Sequence, residues 1–348
     1  MKVAYFTGLR QIELRDDPAP TIARQDQVLV RIDRLGICGS DVHYYADGGI
    51  GSQRVQFPAT LGHECAGAVL ECGAEVTRLK PGDRVAIDPA CSCGICDQCR
   101  VGRQNTCRNL RFMGCPGQAP GAAAERAVLP AANCLPIPDS LSLDMAVLGE
   151  PLSVALHAVR LGEVYPAARV AIFGCGPIGL SVLLCAKVQA PCTVSMTDLL
   201  EPRVALARQC GADLVVHAAQ TDPVAALCEH EPFGFDLVFE CSGDPACIGQ
   251  AAALLTPGGV LVQVGIPGSP HIEIDPHTFR VKELSVRNVR RQKGCVAPVL
   301  RMMAEGHIDA APLITHHFPL EQIGDAFELV AGYRDGVIKA IVELGVGS

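Results

Sequence analysis

Tryptophan is absent, and aromatic residues of any kind make up 4% of the 348 residues. Stacking on nucleobases is therefore not the theme of this chain. Positive charge is also scarce: 29 Lys and Arg against 37 Asp and Glu leave a net charge of −8, which argues against a broad nucleic-acid-binding surface. No segment reaches the roughly 18 uninterrupted apolar residues of a membrane span. The opening Met1-Lys2-Val3-Ala4-Tyr5-Phe6 lacks the long apolar run of a signal peptide. The expectation is a cytoplasmic protein with neither nucleic acid nor membrane as partner.

Cysteine, by contrast, is abundant. Eighteen are many for disulfides in a reducing compartment, and metal thiolates with small buried residues explain them better. The length allows two domains, and 49% hydrophobic content suits a folded core. The chemistry concentrates first in Gly36-Ile37-Cys38-Gly39-Ser40-Asp41-Val42-His43 and in Gly62-His63-Glu64. Catalytic zinc takes three protein ligands and keeps one position open, and Cys38, His63 and Glu64 could supply those three. Asp41 could orient His63 from behind, while Ser40 and His43 could carry an alcohol proton to solvent. Adjacent ligands such as His63 and Glu64 suit a loop or strand end. Cys93, Cys96, Cys99 and Cys107 follow in the spacing C-x2-C-x2-C-x7-C. Four thiolates in one short lobe can close a shell around a structural zinc, against the alternatives of disulfides or free buried thiols. Cys91 falls outside the regular spacing.

The chain up to about residue 150 reads as short strands and turns rich in Gly and Pro. A helix is expected to start near Pro151, with Glu150 at its entrance either as a dipole-stabilising carboxylate or as a fourth group near the metal. The apolar strand Arg169 to Phe173 then runs into Gly174-Cys175-Gly176-Pro177-Ile178-Gly179 and a helical stretch. Strand, glycine-rich turn and helix together form the context of a dinucleotide motif, with free N–H groups at the helix start facing the phosphates. Asp198 ends the next strand, about 20 residues beyond the glycines, where a carboxylate can bind the ribose 2′-OH and repel a 2′-phosphate. That favours NAD over NADP. Strands and helices alternate onward to Val260–Gly265, and Val264, Gly265 and Ile266 are counted with the cofactor-binding residues. Such alternation implies a doubly wound sheet. Helices are expected over 296–305 and 320–333, and a last strand over 339–344.

In order, these motifs resemble the zinc-dependent medium-chain alcohol dehydrogenases, and within them the sorbitol and related polyol dehydrogenases. The resemblance runs from Lys2 almost to Leu344 and includes Glu150-Pro151-Leu152-Ser153 and Thr315-His316-His317-Phe318-Pro319-Leu320. It implies an α/β fold in which a discontinuous, β-rich, GroES-like catalytic domain (1–150 and 287–348) wraps a Rossmann domain of doubly wound parallel sheet (151–286). It places the active site in the cleft between them. It implies two zinc ions per subunit, one of them at Cys38, His63 and Glu64, with Glu150 beside it or in its shell. Glu150 stands where classical alcohol dehydrogenases carry Cys. Tyr44, Phe112 and Arg290 would line the substrate pocket, and Arg203 would assist Asp198. A homotetramer is the expected assembly. Two departures stand out: several polyol dehydrogenases lack the four-Cys lobe, and Arg290-Arg291 replaces a common Arg-Tyr pair.

The expected activity is NAD-dependent oxidation of a secondary hydroxyl of a sorbitol- or xylitol-like polyol to a ketone. A vicinal diol such as butanediol, a sugar acid or threonine is the alternative substrate within the superfamily. An alternative of another class is a zinc protein that senses redox state through bound NAD without turnover.

Overall fold

The computed structural model describes residues 1–345. Contacts divide them into two compact units. The first comprises Met1–Glu150, Val296–Gly306 and the chain from Ile314 onward; the second comprises Pro151–Cys295 and His307–Leu313.

The first unit is built on a seven-stranded mixed sheet. Across it lie Cys134–Pro136, Arg84–Ile87, Glu64–Cys72, Gln27–Gly36, Lys339–Glu343 and Ile314–Pro319, with Arg126–Pro130 also pairing to Gln27–Gly36. Val28, Val30, Ile32 and Leu35 bury the central strand, as β-branched and large apolar residues do on a pleated surface. Its far end positions the site. Gly36 pairs with Glu64 on one side and Ile341 on the other, and the Ile37 N–H donates to Ala340 O at 3.0 Å. Three strand ends thus converge. A Cβ at Gly36 would lie 2.5 Å from Glu64 Oε2 and 2.7 Å from Val147 Cγ1, so glycine here lets the Glu64 side chain fold back over its neighbour. The few aromatics are concentrated: the Phe327 ring lies 5.0 Å from Phe6 and 5.1 Å from Tyr45, edge-on or tilted.

The second unit carries a six-stranded parallel sheet. Its order is Leu214–His217, Thr193–Asp198, Arg169–Phe173, Phe235–Glu240, Leu255–Gln263 and Ser285–Asn288. In chain order this is 3-2-1-4-5-6, the doubly wound arrangement whose switch point falls between the first and fourth strands. Val170, Ala171, Ile172, Val238 and Phe239 are buried, the near-continuous apolar run of a strand covered on both faces. Helices Pro177–Gln189, Glu201–Gln209, Pro223–His230 and Ala246–Leu254 connect the strands. Because Ser285–Asn288 pairs with Leu255–Gln263, the chain from 287 to 295 stays with this sheet rather than leaving it at 286.

Local differences from the sequence reading concern helix starts. Residues 39–46, for which no helix is expected from the sequence, form the helix Gly39–Ala46 with Cys38 as its N-cap. The helix expected near Pro151 spans Gly149–Gly162 and takes Glu150 into its first turn. The 320–333 segment opens with the 3-10 turn Leu320–Gln322 before the helix Ile323–Ala331. No helix among the described residues is long and apolar enough to cross a membrane.

Candidate active site

Cys38 leaves the central strand, His63 and Glu64 enter the neighbouring one, and their ligand atoms lie within 4.8 Å of one another. His63 and Glu64 are buried. Asp41, fully buried one turn into the Gly39–Ala46 helix, binds the group together. Its Oδ1 lies 3.3 Å from His63 Nδ1 and accepts from Gly62 N at 3.3 Å, and its Oδ2 accepts from Cys38 N at 3.4 Å. Held from Nδ1, the imidazole keeps Nε2 for a metal. Burial alone would lower the His63 pKa, but the neighbouring Asp41 and Cys38 outweigh it and hold it well above the usual value. A metal at Nε2 needs that nitrogen unprotonated, so metal and proton compete for this imidazole.

Lys339 is a residue that sequence reasoning missed. Its Nζ lies 2.5 Å from Glu64 Oε2 and donates to Ile37 O at 3.1 Å, in full burial. Burial would lower the Lys339 pKa, yet Glu64 raises it on balance. A lysine opening the strand, just before the apolar Ala340, Ile341 and Val342, was the available signal. Glu150 is buried in the same neighbourhood. Desolvation pushes its carboxyl up to about 7, with Glu64 adding to the rise and His63 and Lys339 opposing it. Two carboxylates and one lysine thus act electrostatically on one another and on the imidazole. Glu64 carries the lysine, and Glu150 carries a proton more readily than an ordinary carboxylate.

The hydroxyl of Ser40 donates to Cys38 Sγ at 3.4 Å. The imidazole of His43 turns outward to Asp47 Oδ2 at 2.9 Å, so Ser40 and His43 do not hydrogen-bond each other directly. The Phe112 ring lies 5.2 Å from the His63 ring. Tyr44 donates its hydroxyl to Gln53 Oε1 at 3.1 Å, and Gln53 Nε2 donates to Cys115 Sγ at 2.9 Å. Arg290 is exposed on the second unit, just past the sixth strand, and the adjoining Arg291 has a left-handed backbone with φ 52°.

Cys93, Cys96, Cys99 and Cys107 also converge. Four sulfurs about 2.3 Å from a central zinc define a tetrahedron with edges of about 3.8 Å. The observed Sγ separations fit: 3.5 Å for Cys96–Cys99, 3.9 Å for Cys96–Cys107 and 3.5 Å for Cys93–Cys107. Backbone N–H groups of Arg108 and Cys99 stabilise the Cys96 thiolate and bring its pKa down to about 6. Cys91 lies instead on the short strand Ala90–Cys91 and is not in this group.

On the second unit, Gly174 adopts φ 95°, and a Cβ at Gly179 would lie 1.8 Å from Gly174 O. Both positions need glycine for the turn to close under the Pro177–Gln189 helix. The N-cap of that helix is Gly176, followed by Pro177 and Ile178 in its first turn. Asp198 reaches this turn: its Oδ2 accepts from Cys175 N at 2.7 Å and its Oδ1 from Leu200 N at 2.9 Å. Each oxygen keeps further acceptor capacity for a ribose hydroxyl. A Cβ at Gly176 would meet Arg203 Nη1 at 3.4 Å, so Arg203 borders the turn as well. Val264 N and Gly265 N both donate to Glu240 O at 2.8 Å, and Ile266 is exposed beside them. This cradle fits a dinucleotide, and the two ligand groups fit zinc.

Residues 24–139 match the family described as alcohol dehydrogenase GroES-like domain, and residues 177–305 match the zinc-binding dehydrogenase family. The sorbitol dehydrogenase of Bacillus subtilis (strain 168) is 34% identical over 343 residues, covering 98% of this chain and 97% of the relative. Among solved structures, the L-idonate 5-dehydrogenase of Escherichia coli K-12 superposes with a TM-score of 0.90 at 29% identity, covering 99% of this chain and 98% of the other. A zinc-binding dehydrogenase of Sinorhizobium meliloti 1021 bound to NADP reaches a TM-score of 0.91 at 31% identity, with 99% of each chain covered. The chain belongs to the zinc-dependent medium-chain alcohol dehydrogenase superfamily, on the side of the polyol dehydrogenases. It is a GroES-like and Rossmann-type oxidoreductase that works with zinc and a nicotinamide cofactor.

Proposed function

We propose that this protein oxidises a secondary hydroxyl of a polyol to a ketone, with NAD as hydride acceptor. The observation that carries the reading is the convergence of a half-buried Cys38 with the buried His63 and Glu64, with Asp41 behind His63. Zinc supplies Lewis acidity that eases loss of the hydroxyl proton, and the nicotinamide supplies the acceptor for the hydride.

This chain's own residues do the rest. Cys38 and His63 hold the metal, with Glu64 or Glu150 as the third ligand. Asp41 fixes the imidazole and Lys339 fixes Glu64. Ser40 and His43 take the proton toward solvent, and Glu150, with its raised affinity for protons, offers a second acceptor. Phe112 and Tyr44 face the substrate, as does Arg290. Asp198, with Arg203 at its side, holds the adenosine ribose and disfavours a 2′-phosphate. The balanced reaction is secondary alcohol and NAD⁺ giving ketone, NADH and H⁺. The four-Cys lobe holds a second zinc for structure alone. A homotetramer and a cytoplasmic location complete the reading.

Arg291 beside Arg290 favours a second substrate class, a sugar acid, in keeping with the name of the idonate relative. A diol and threonine remain as comparators. The test follows NADH or NADPH formation by zinc-loaded protein over sorbitol, xylitol, ribitol, galactitol, an aldonate, butane-2,3-diol and threonine. Turnover of a polyol with NAD, lost in His63→Ala together with zinc, is the expected result. Turnover with NADP alone would overturn the cofactor choice, and turnover of the diol or threonine alone would overturn the polyol assignment. Bound NAD without turnover on any alcohol would point to the redox sensor instead.

A further inference from the structure

Glu240 is the last residue of the fourth strand, and in register it sits directly opposite Phe173, the last residue before the glycine-rich turn. It therefore occupies the switch point of the sheet, where doubly wound folds bind their ligands. Its side chain is almost fully buried, at 1% exposure. One oxygen carries an unusual load. Oε1 accepts from Ser242 N at 2.7 Å, from Ser242 Oγ at 2.5 Å and from Gly243 N at 2.8 Å. A carboxylate receiving several donors in this way fixes the turn that follows it.

That turn is a floor for the glycine-rich loop. A Cβ at Gly174 would lie 3.1 Å from Ser242 N and 3.2 Å from Cys241 C, so the two turns are in contact through backbone. Cys241 N donates to Phe173 O at 2.8 Å and joins them. On its other side Glu240 meets the end of the fifth strand. Its carbonyl accepts from Val264 N and Gly265 N, and a Cβ at Gly265 would lie 2.6 Å from Glu240 Oε2 and 2.4 Å from Gly243 N.

We propose that Glu240 is a positioning residue of the dinucleotide site: its carboxylate clamps the Ser242–Gly243 turn between the glycine-rich loop and the Val264–Ile266 segment, and so sets the spacing of the three backbone segments that receive the cofactor. The role rests on the dinucleotide reading above. It requires an acceptor at Oε1 and only a hydrogen in place of a side chain at Gly265.

The test uses full-length zinc-loaded protein with NADH and NADPH as probes. Because the chain has no tryptophan, cofactor emission on binding is read without indole background. Glu240→Ala is expected to raise the Kd of the preferred probe by about tenfold or more, as loss of a buried charged acceptor does. Glu240→Gln keeps an oxygen at the Oε1 position and is expected to stay within about threefold of wild type. Gly265→Ala, which leaves the carboxylate in place and fills its space, is expected to match Glu240→Ala. In Glu240→Ala the kcat at saturating cofactor and the zinc content should hardly move, while KM for the cofactor rises. Unchanged binding in Glu240→Ala overturns the inference, as does a Gln variant no better than Ala. If Glu240→Ala fails to fold, unchanged binding in Gly265→Ala overturns it. Wild-type protein that binds neither probe overturns the dinucleotide reading itself, and this role with it.

Discussion

Lys339 Nζ and Glu64 Oε2 lie 2.5 Å apart, with side chains 2% and 1% exposed, although 275 positions separate them in the chain. Removing one member of such a buried pair leaves the other uncompensated, at a cost of about 3–5 kcal/mol. Lys339→Met is expected to lower unfolding stability by that amount in urea titration, and the double variant with Glu64→Gln should recover much of it. A single variant with an unchanged midpoint would exclude the pair as a stabilising contact.

On the proposed reading, Asp41 acts on the metal through His63, whose Nδ1 lies 3.3 Å from its Oδ1. Substitutions behind a ligating imidazole typically weaken metal affinity about 10- to 100-fold. Asp41→Asn keeps the volume and loses the charge, so zinc should be lost to a competing chelator at correspondingly lower chelator concentration. Retention equal to wild type would show that Asp41 only caps its helix.

Glu150 gives the metal-free protein a distinctive pH dependence. Burial, aided by Glu64, raises its folded pKa to about 7, well above that of an ordinary carboxylate. The folded state thus binds this proton more tightly than the unfolded state. Its stabilising contribution is full below the unfolded pKa and is lost as pH rises through about 7, a change on the order of 3 kcal/mol. Chelator-treated protein should therefore lose stability across this window, and Glu150→Gln should flatten that part of the profile. A profile that Glu150→Gln leaves unchanged would assign the titration elsewhere.

The four-Cys lobe is separable from the Cys38 group. Cys99→Ser is expected to lower the zinc content from about two ions per chain to about one, the thiolate shell of a structural site being incomplete without it. Proteolysis between 93 and 107 should then accelerate, while Cys38 remains protected from alkylation by zinc. Loss of both ions from this single variant would show the two groups to be coupled.

Much of this was legible in the chain because the signals are local. The lobe is declared by cysteines three and eight apart, and the dinucleotide turn by glycines flanked by a strand and a helix. What stayed hidden depends on distant pairing. Lys339 reads as an ordinary strand residue until the register of Ile341 against Gly36 brings it beside Glu64. Glu240 looks like any acid at a strand end until the Ser242 and Gly243 donors are seen on it. The helix Gly39–Ala46 escaped because it begins at a glycine and has only eight residues, too few for a clear apolar period. The partner of His43 was hidden too: its imidazole meets the Asp47 carboxylate one helical turn on.

The central strand Gln27–Gly36 ends against one neighbour that follows it closely in sequence and another made hundreds of residues later. During synthesis, then, the Cys38–His63–Glu64 group emerges long before the lysine that neutralises its carboxylate. Only when the Lys339–Glu343 strand docks beside Gly36 does the buried Glu64 carboxylate gain its partner, so this corner of the site is completed by one of the last segments of the chain to be made.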